Sequence, residues 1–394
     1  MVILGGIAAG LAIIDLQQAY GMKSVAANRH ASGLAALLLS PLSALPVPFA
    51  GLLLALVGVV ALGLAMIVLA GPVARRYGKS RFWAVLAAIG LALPVAPVRA
   101  TLGLGCLDLL LFGLVIADVV ALRRSAWARS RAVWWPGPRA SRAPGGRLPA
   151  LLRRGWHTGA WAGLGTGIAT ALTLGPGLFV AYFAVTRQWR AALTALGTAV
   201  ALLGGAALIA PGPFLRRSAP LADPLNQSLA GVLARLYHSA STPVLIWLSF
   251  AGLLAAVGLI RARSAHADGD EVTAFTLVGL SAAVVGPVTR IHEMIWLLPA
   301  VLVLVDAAAR RRVIATTRRA RRFPGIGFAV WAGSVYLLLV VDPRWTSGWN
   351  GYAFAVILLL NALPWRPGAA SAVPARRVPQ EVRRVPAIPG PRGR

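Results

Sequence analysis

Residues 49–71 read FAGLLLALVGVVALGLAMIVLAG, a run with no charged side chain. A helix needs roughly 20 apolar residues to cross a bilayer core, so this stretch is long enough to span by itself. Working outward, comparable runs follow at 83–97, 103–122, 158–172, 175–186, 191–211, 243–260, 273–289, 294–309, 326–341 and 351–364, and one precedes it at 2–14. Several are shorter than a straight span and carry internal Pro or Gly, which predicts broken, tilted or re-entrant helices. The expected fold is an all-α, polytopic transmembrane helical bundle over residues 1–365, with about 10–12 membrane segments. The first run has no charged leading region and no clean small-residue cleavage site, so it does not read as a cleaved signal. Its shortness predicts a first helix truncated by a late start.

Composition agrees with this reading. Hydrophobic residues make up 58% of the chain, charged residues only 13%, and the mean hydropathy is +0.73, far from the balance of a soluble domain. In a soluble protein a net charge of +28 would suggest nucleic acid as a partner. Here the basic residues cluster between apolar runs, and no soluble basic domain is long enough to hold a nucleic acid. The single cysteine, Cys106, excludes an internal disulfide and a cysteine metal cluster, and reads as a small buried apolar residue.

Threading the runs with both termini cytoplasmic sorts the basic residues very unequally. Of 39 Lys and Arg, only Lys23, Arg29, Arg99, Arg216, Arg217, Arg235, Arg290 and Arg344 fall outside. That is the asymmetry expected of retained cytoplasmic loops. The extracytoplasmic segments are then 15–47, a tight turn near Arg99, 212–242, 289–293 and 342–350. The tail 366–394 is rich in Pro, Ala and Arg, has no apolar face, and is expected to be disordered and cytoplasmic. Little order is expected at 134–149 either, and both basic segments suit anionic lipid headgroups. The chain shows no repeat of fixed period and no inverted pair of broken helices, which weighs against a secondary transporter.

At 286–300, GPVTRIHEMIWLLPA, the side chains of Arg290, His292 and Glu293 interrupt two apolar stretches at the predicted outer surface. With Arg99 in the facing turn they could cradle a phosphate, because a guanidinium offers a charged fork of donors. The alternative is an interfacial turn facing water, and spacing alone favours it. His292 and Glu293 lie about 100° apart on a helix start, without the i, i+4 spacing of a zinc helix. No metal is expected. Asp15 follows the first apolar run and reads either as a general base at the mouth of a membrane cleft or as an ordinary interfacial helix end. Spacing alone favours the second. Asp108 is expected in an outer half-helix, whereas Asp118, Asp268, Asp270, Glu271 and Asp306 fall at or near the inner face. Asn226, Gln227 and Ser228 precede the amphipathic stretch 229–236 and suit either sugar hydroxyls or a turn and helix cap. There is no Walker loop, dinucleotide fingerprint or Gly-x-Ser-x-Gly element, so soluble-nucleotide chemistry has no visible seat.

Four stretches in order, APVRATLGLGCLDLLLFGLVIAD (96–118), LFVAYFAVTRQWRAALTAL (178–196), LNQSLAGVLARL (225–236) and GPVTRIHEMIWLLPA (286–300), resemble glycosyltransferase family 87. That family belongs to the GT-C superfamily of bacterial polytopic enzymes using polyprenyl-phosphate-mannose, many forming α-1,2-mannosyl linkages in actinobacterial envelope glycolipids and lipoglycans. The likeness covers most of residues 10–310. The sequence departs from it at Cys106-Leu107-Asp108, where the family has Gln-Val-Asn, and at Glu293, where it has a second His. It also lacks the Lys of an Ile-Lys-Leu-Thr-Pro element near Thr173, and reads Ala31-Ser32-Gly33 for a Tyr-Pro-Pro stretch in a short first loop.

The resemblance implies a GT-C type bundle and an inverting mannosyltransferase acting at the extracytoplasmic face of the cell membrane. The donor is a polyprenyl-phosphate-mannose, the acceptor a glycolipid or lipoglycan, and no further cofactor is needed. In that reading Asp15 is the base that takes the acceptor hydroxyl proton, and His292 donates to the departing phosphate. Arg290 and Arg99 give electrostatic support, and Glu293 is a weaker substrate-binding candidate. Asn226, Gln227 and Ser228 position sugar or shape the outer loop. Two other classes stay open: a catalytically inactive membrane partner of envelope biosynthesis, which the departures favour, and a lipid-linked sugar transporter, which would need polar residues crossing the membrane middle.

Overall fold

The computed structural model describes residues 45–134, 155–209, 221–223, 225–238, 244–317, 325–341 and 343–366, together with positions 34, 39 and 42. Among these the secondary structure is helical. Helix α1 (Val47–Arg76) starts on a proline-rich entry and ends in Arg75 and Arg76. Pro suits a first turn because the missing N–H would have no helical partner there. Next come α2 (Arg81–Ala92) and α3 (Ala96–Leu104), bent by 73° at a short break that contains Pro94 and is followed by Pro97. The bundle continues with α4 (Asp108–Trp134), α5 (Leu164–Leu172), α6 (Gly177–Val185) and α7 (Trp189–Ile209). Then follow α8 (Leu229–Leu236), α9 (Val244–Ala267) and α10 (Glu271–Val285). A 3-10 turn at Ile291–Trp296 leads into α11 (Leu297–Thr317). The last described elements are α12 (Ile326–Val340), α13 (Pro343–Gly348) and α14 (Gly351–Ala362).

The apolar runs from 49 onward therefore become helices, and several are as short and broken as their Pro and Gly content predicted. Among the described residues four helical stretches are long and apolar enough to cross a membrane, or five if the bent α2–α3 pair counts as one span. The run at 2–14 lies outside the described residues. Helices α1, α7 and α9 expose large apolar side chains such as Leu56, Leu64, Leu193, Val200, Leu245 and Leu248. Such surfaces do not survive in water but match lipid tails. The molecule is a polytopic membrane bundle.

Helix α10 is its centre. It packs against α6, α9, α11, α14 and the 3-10 turn, and residues 273–281 are all buried. A helix that is apolar all round belongs inside a larger bundle. Its start is fixed by Asp270, whose carboxylate accepts from the Thr273 N–H at 3.3 Å and the Thr273 hydroxyl at 2.8 Å. Gly279 lets Trp296 of the 3-10 turn lie against its backbone, since a Cβ there would sit 2.0 Å from the indole. The same indole packs against Phe112 (5.0 Å between ring centroids) and Phe179 (5.2 Å). The turn carrying His292 is thus bolted to α4, α6 and α10 at once.

The buried carboxylate of Asp118 holds the broken region of α5. It accepts from Gly163 N (3.0 Å), Thr166 N (2.7 Å) and Thr166 Oγ1 (2.7 Å), capping the short helix across the core. In a separate polar belt, Asp306 of α11 is gripped by Arg366, with Nε at 2.8 Å and a second contact through Nη2. Asp306 also receives Tyr77 Oη at 3.2 Å. Burial first, and then the Asp306 carboxylate, push the Tyr77 phenol up, so it stays a donor. Trp365 Nε1 donates to Asp268 at 2.8 Å and Arg366 N to Asp270 at 3.1 Å, while His266 Nδ1 lies 2.9 Å from Glu271. Four of the acidic residues assigned together from the sequence (Asp268, Asp270, Glu271 and Asp306) do share one belt. Asp118 instead serves the core. Arg366, the first residue of the predicted tail, is held in this belt, and the remainder of the tail lies outside the described residues, as do residues 135–149.

Candidate functional site

The site is built where two short elements meet, α3 and the 3-10 turn, which pack directly on one another. Helix α3 stops at Gly105, whose backbone is left-handed (φ 63°), and Cys106 N closes back onto Thr101 O at 3.0 Å. Glycine enters that conformation without the Cβ penalty other residues meet. The reversal puts Cys106 in the core and starts α4 at Asp108. Asp108 therefore heads a long helix rather than sitting within a half-helix.

On the facing element, Glu293 folds back so that its carboxylate accepts from Arg290 N at 3.2 Å, while Glu293 N donates to Arg290 O at 3.0 Å. This reciprocal pair fixes the start of the turn. It leaves the His292 imidazole directed across to α4, with Nε2 at 3.8 Å from Asp108 Oδ2. Both side chains are mostly shielded, 14% and 16% exposed. At 3.8 Å they are beyond hydrogen-bond reach. The Cys106 thiol joins them: sulfur, carboxylate oxygen and imidazole nitrogen all lie within 4.8 Å of one another. Cys106, Asp108 and Glu293, positions at which the sequence departs from the resembled pattern, thus gather around His292.

Arg99 lies on α3, and its Nε is buried without a hydrogen-bond partner among the described residues. Neither Arg99 nor Arg290 makes an ion pair within the described residues. A buried guanidinium N–H left without an acceptor costs free energy, on the order of 1–3 kcal/mol. An anion bound beside it would remove that cost. Arg99, Arg290, His292 and Glu293 are therefore brought to one pair of packed elements. Asp15 lies outside the described residues.

Asn226, Gln227 and Ser228 form a brace beside this site. Asn226 Oδ1 accepts from Ser228 N (3.1 Å) and Thr289 N (3.0 Å), and its Nδ2 donates to Leu221 O (3.1 Å) and Pro287 O (3.3 Å). Gln227 N donates to Thr289 O at 2.8 Å. Ser228 Oγ donates to Pro287 O at 2.9 Å and accepts from Gly231 N at 3.1 Å, capping α8. Of the two roles the resemblance implied, these bonds are those of shaping the loop. Asn226 and Ser228 direct their polar atoms into 286–290, the strap from which the 3-10 turn emerges. Arg235 completes the brace by donating to Asp223 O (2.6 Å), Asn226 O (2.9 Å) and Asn350 Oδ1.

The sequence reading set the departure at Cys106-Leu107-Asp108 close to the expected site but assigned no role to Cys106 or Asp108, and it missed Thr289. Only residue spacing was available, and the α3 reversal that brings Cys106 and Asp108 against His292 depends on packing between segments almost 200 residues apart. Gly105 was the one local signal.

Comparison with known proteins adds to this geometry. A polyprenol-phosphate-mannose-dependent alpha-(1-2)-phosphatidylinositol mannoside mannosyltransferase of Mycobacterium tuberculosis H37Rv is 30% identical over 302 residues, covering 72% of this chain and 63% of the relative. Its counterpart in Mycolicibacterium smegmatis is 28% identical over 309 residues, covering 71% and 61%. A polyprenol-phosphate-mannose-dependent alpha-(1-2)-phosphatidylinositol pentamannoside mannosyltransferase of M. tuberculosis CDC 1551 is 27% identical, covering 59% and 58%. The chain thus spans less than two thirds of the length of these relatives. No solved structure matches it. The sequence profile of glycosyltransferase family 87 matches residues 33–287. That range holds the α3 reversal and the Asn226–Ser228 brace and covers more than half of the chain, which therefore belongs to glycosyltransferase family 87.

Proposed function

We propose that the chain is a membrane mannosyltransferase. It moves mannose from a polyprenyl-phosphate donor to a phosphatidylinositol-mannoside-like glycolipid or lipoglycan, with inversion, at the extracytoplasmic face. Family membership supports the reaction class, and the named relatives support the donor and the type of acceptor. The observation that carries the site assignment is Arg99, a half-buried side chain whose buried Nε–H lacks an acceptor among the described residues, on the helix packed against the turn of Arg290 and His292.

A lipid donor explains why no nucleotide-binding element is needed. Its tail lies among the helices while its phosphate reaches the polar rim. The acceptor hydroxyl attacks the anomeric carbon, the carbon–oxygen bond to phosphate breaks, and the leaving phosphate takes the developing negative charge. Arg99 and Arg290 stabilise that charge where it forms, which accelerates the step only to the extent that they bind the departing phosphate better than the intact donor. Asp15 takes the acceptor proton.

Transfer of radiolabel from polyprenyl-phosphate-mannose in membranes tests the reading. Wild type is expected to move the label from the donor into a separate glycolipid product, and Asp15→Ala to lose turnover by about 100-fold or more at unchanged protein level. Wild-type membranes without transfer, or full transfer by Asp15→Ala, would overturn it.

A further inference from the structure

We propose that Cys106, Asp108 and His292 form a zinc site with one open coordination position. The three donors come from the α3 reversal, the first turn of α4 and the 3-10 turn, and their ligand atoms already lie within 4.8 Å of one another. Donors around a tetrahedral zinc, with bonds of about 2.0–2.3 Å, stand roughly 3.3–3.7 Å apart. The 3.8 Å between His292 Nε2 and Asp108 Oδ2 is close to that separation. It is also too long for the hydrogen bond that an imidazole and a carboxylate would make if they were simply each other's partner.

The surroundings favour an ion as well. Asp108 and His292 are mostly shielded, and neither side chain hydrogen-bonds to a described residue. Cys106 is 7% exposed. Sequestering a carboxylate, an imidazole and a thiol together with no hydrogen bond between them is costly in a membrane protein. Glu293 lies beside them but is committed to Arg290 N. A thiolate with an imidazole selects zinc over magnesium or calcium, which prefer oxygen donors. Binding displaces the thiol proton of Cys106 to solvent and uses the neutral imidazole, so the ion's two positive charges meet two negative ligands. Three protein ligands leave the fourth position for water or an anion. If the proposed transfer is correct, that position is where a phosphate oxygen of the donor docks, and His292 then acts on the phosphate through the ion. That last step rests on the functional reading, while the zinc site rests on geometry alone.

The test uses the full untagged chain in lipid nanodiscs. Zinc content is measured by mass spectrometry after dialysis, affinity by competition with a chromophoric chelator, and cobalt substitution by absorption. Expected are one zinc per chain, a thiolate-to-cobalt charge-transfer band, and affinity losses of about 100-fold or more in Cys106→Ala, Asp108→Ala and His292→Ala. Because an alanine variant could fail to fold, Cys106→Asp is included. It replaces one ligand by another and should retain metal while losing the charge-transfer band. Substoichiometric zinc in the wild type, or equal affinity in the wild type and all three alanine variants, would overturn the site. Transfer is measured on the same samples: zinc bound without mannose transfer sinks the functional reading alone, and transfer by a chain that binds no zinc sinks the metal site alone.

Discussion

Arg99 and Asn226 show how differently two polar residues near one site are used. Arg99 keeps a buried Nε–H without an acceptor among the described residues, a donor that a bound anion would satisfy. Asn226 spends both ends of its amide on the backbone. Arg99→Ala is therefore expected to reduce mannose transfer by about 100-fold or more while leaving thermal stability unchanged, and Arg99→Lys to recover only part, because an ammonium cannot reproduce the fork. Asn226→Ala should do the reverse first. It strands the N–H groups of Ser228 and Thr289, costing about 2–5 kcal/mol, and should appear as a lowered unfolding temperature in detergent. Asn226→Asp, which keeps the accepting oxygen, should be milder. An Asn226→Ala protein of wild-type stability would show that the brace is not what holds the strap.

At the scale of elements, the site depends on two glycines. Gly279 of α10 admits the Trp296 indole, and Gly105 turns α3 back on itself. Gly279→Ala should push the 3-10 turn off the bundle, lowering both the melting temperature and the transfer rate. Combining it with Trp296→Leu should recover stability, since the smaller side chain makes room. The double-mutant cycle measures that coupling, and additive effects would contradict the contact. Gly105→Ala places a Cβ in the left-handed region at about 1–2 kcal/mol. The reason α10 tolerates a helix-weakening glycine is positional: it is enclosed by neighbours, so packing outweighs intrinsic propensity.

At the scale of the whole molecule, the polar belt around Asp306 sets its closure. Asp306 and Arg366 tie the helix that begins at the site to the start of the basic tail. For Arg366, burial alone would lower the pKa, but the hydrogen bond and charge of Asp306 outweigh it and hold the guanidinium above its ordinary value. Removing Arg366 leaves the Asp306 carboxylate with Arg310 (Nε at 3.3 Å) and the Tyr77 hydroxyl, so Arg366→Ala is expected to cost about 1–3 kcal/mol, the loss of a charged hydrogen bond rather than of the whole pair. Asp306→Asn with Arg366→Gln should cost less than that single change, as read by thermal unfolding. Orientation is tested by labelling. A cysteine replacing the exposed Trp349 should react with an impermeant maleimide on intact cells, and one replacing Arg394 only after permeabilisation. Cys106, being buried, contributes little background.

Hydropathy alone determined that this chain is a membrane bundle, because burying or bathing so much apolar surface in lipid is the largest favourable term available to it. The broken helices were also legible, since Pro and Gly act locally. The stretches 96–118 and 225–236 carried the family likeness for the same local reason. What only the tertiary structure decided is which side chains face one another: Asp118 with the start of α5, Asn226 with the strap at 286–290, and Cys106 and Asp108 with His292. Each pairing joins segments tens to hundreds of residues apart, and a hydrogen bond or a ligand set exists only once apolar packing has fixed the distance between them.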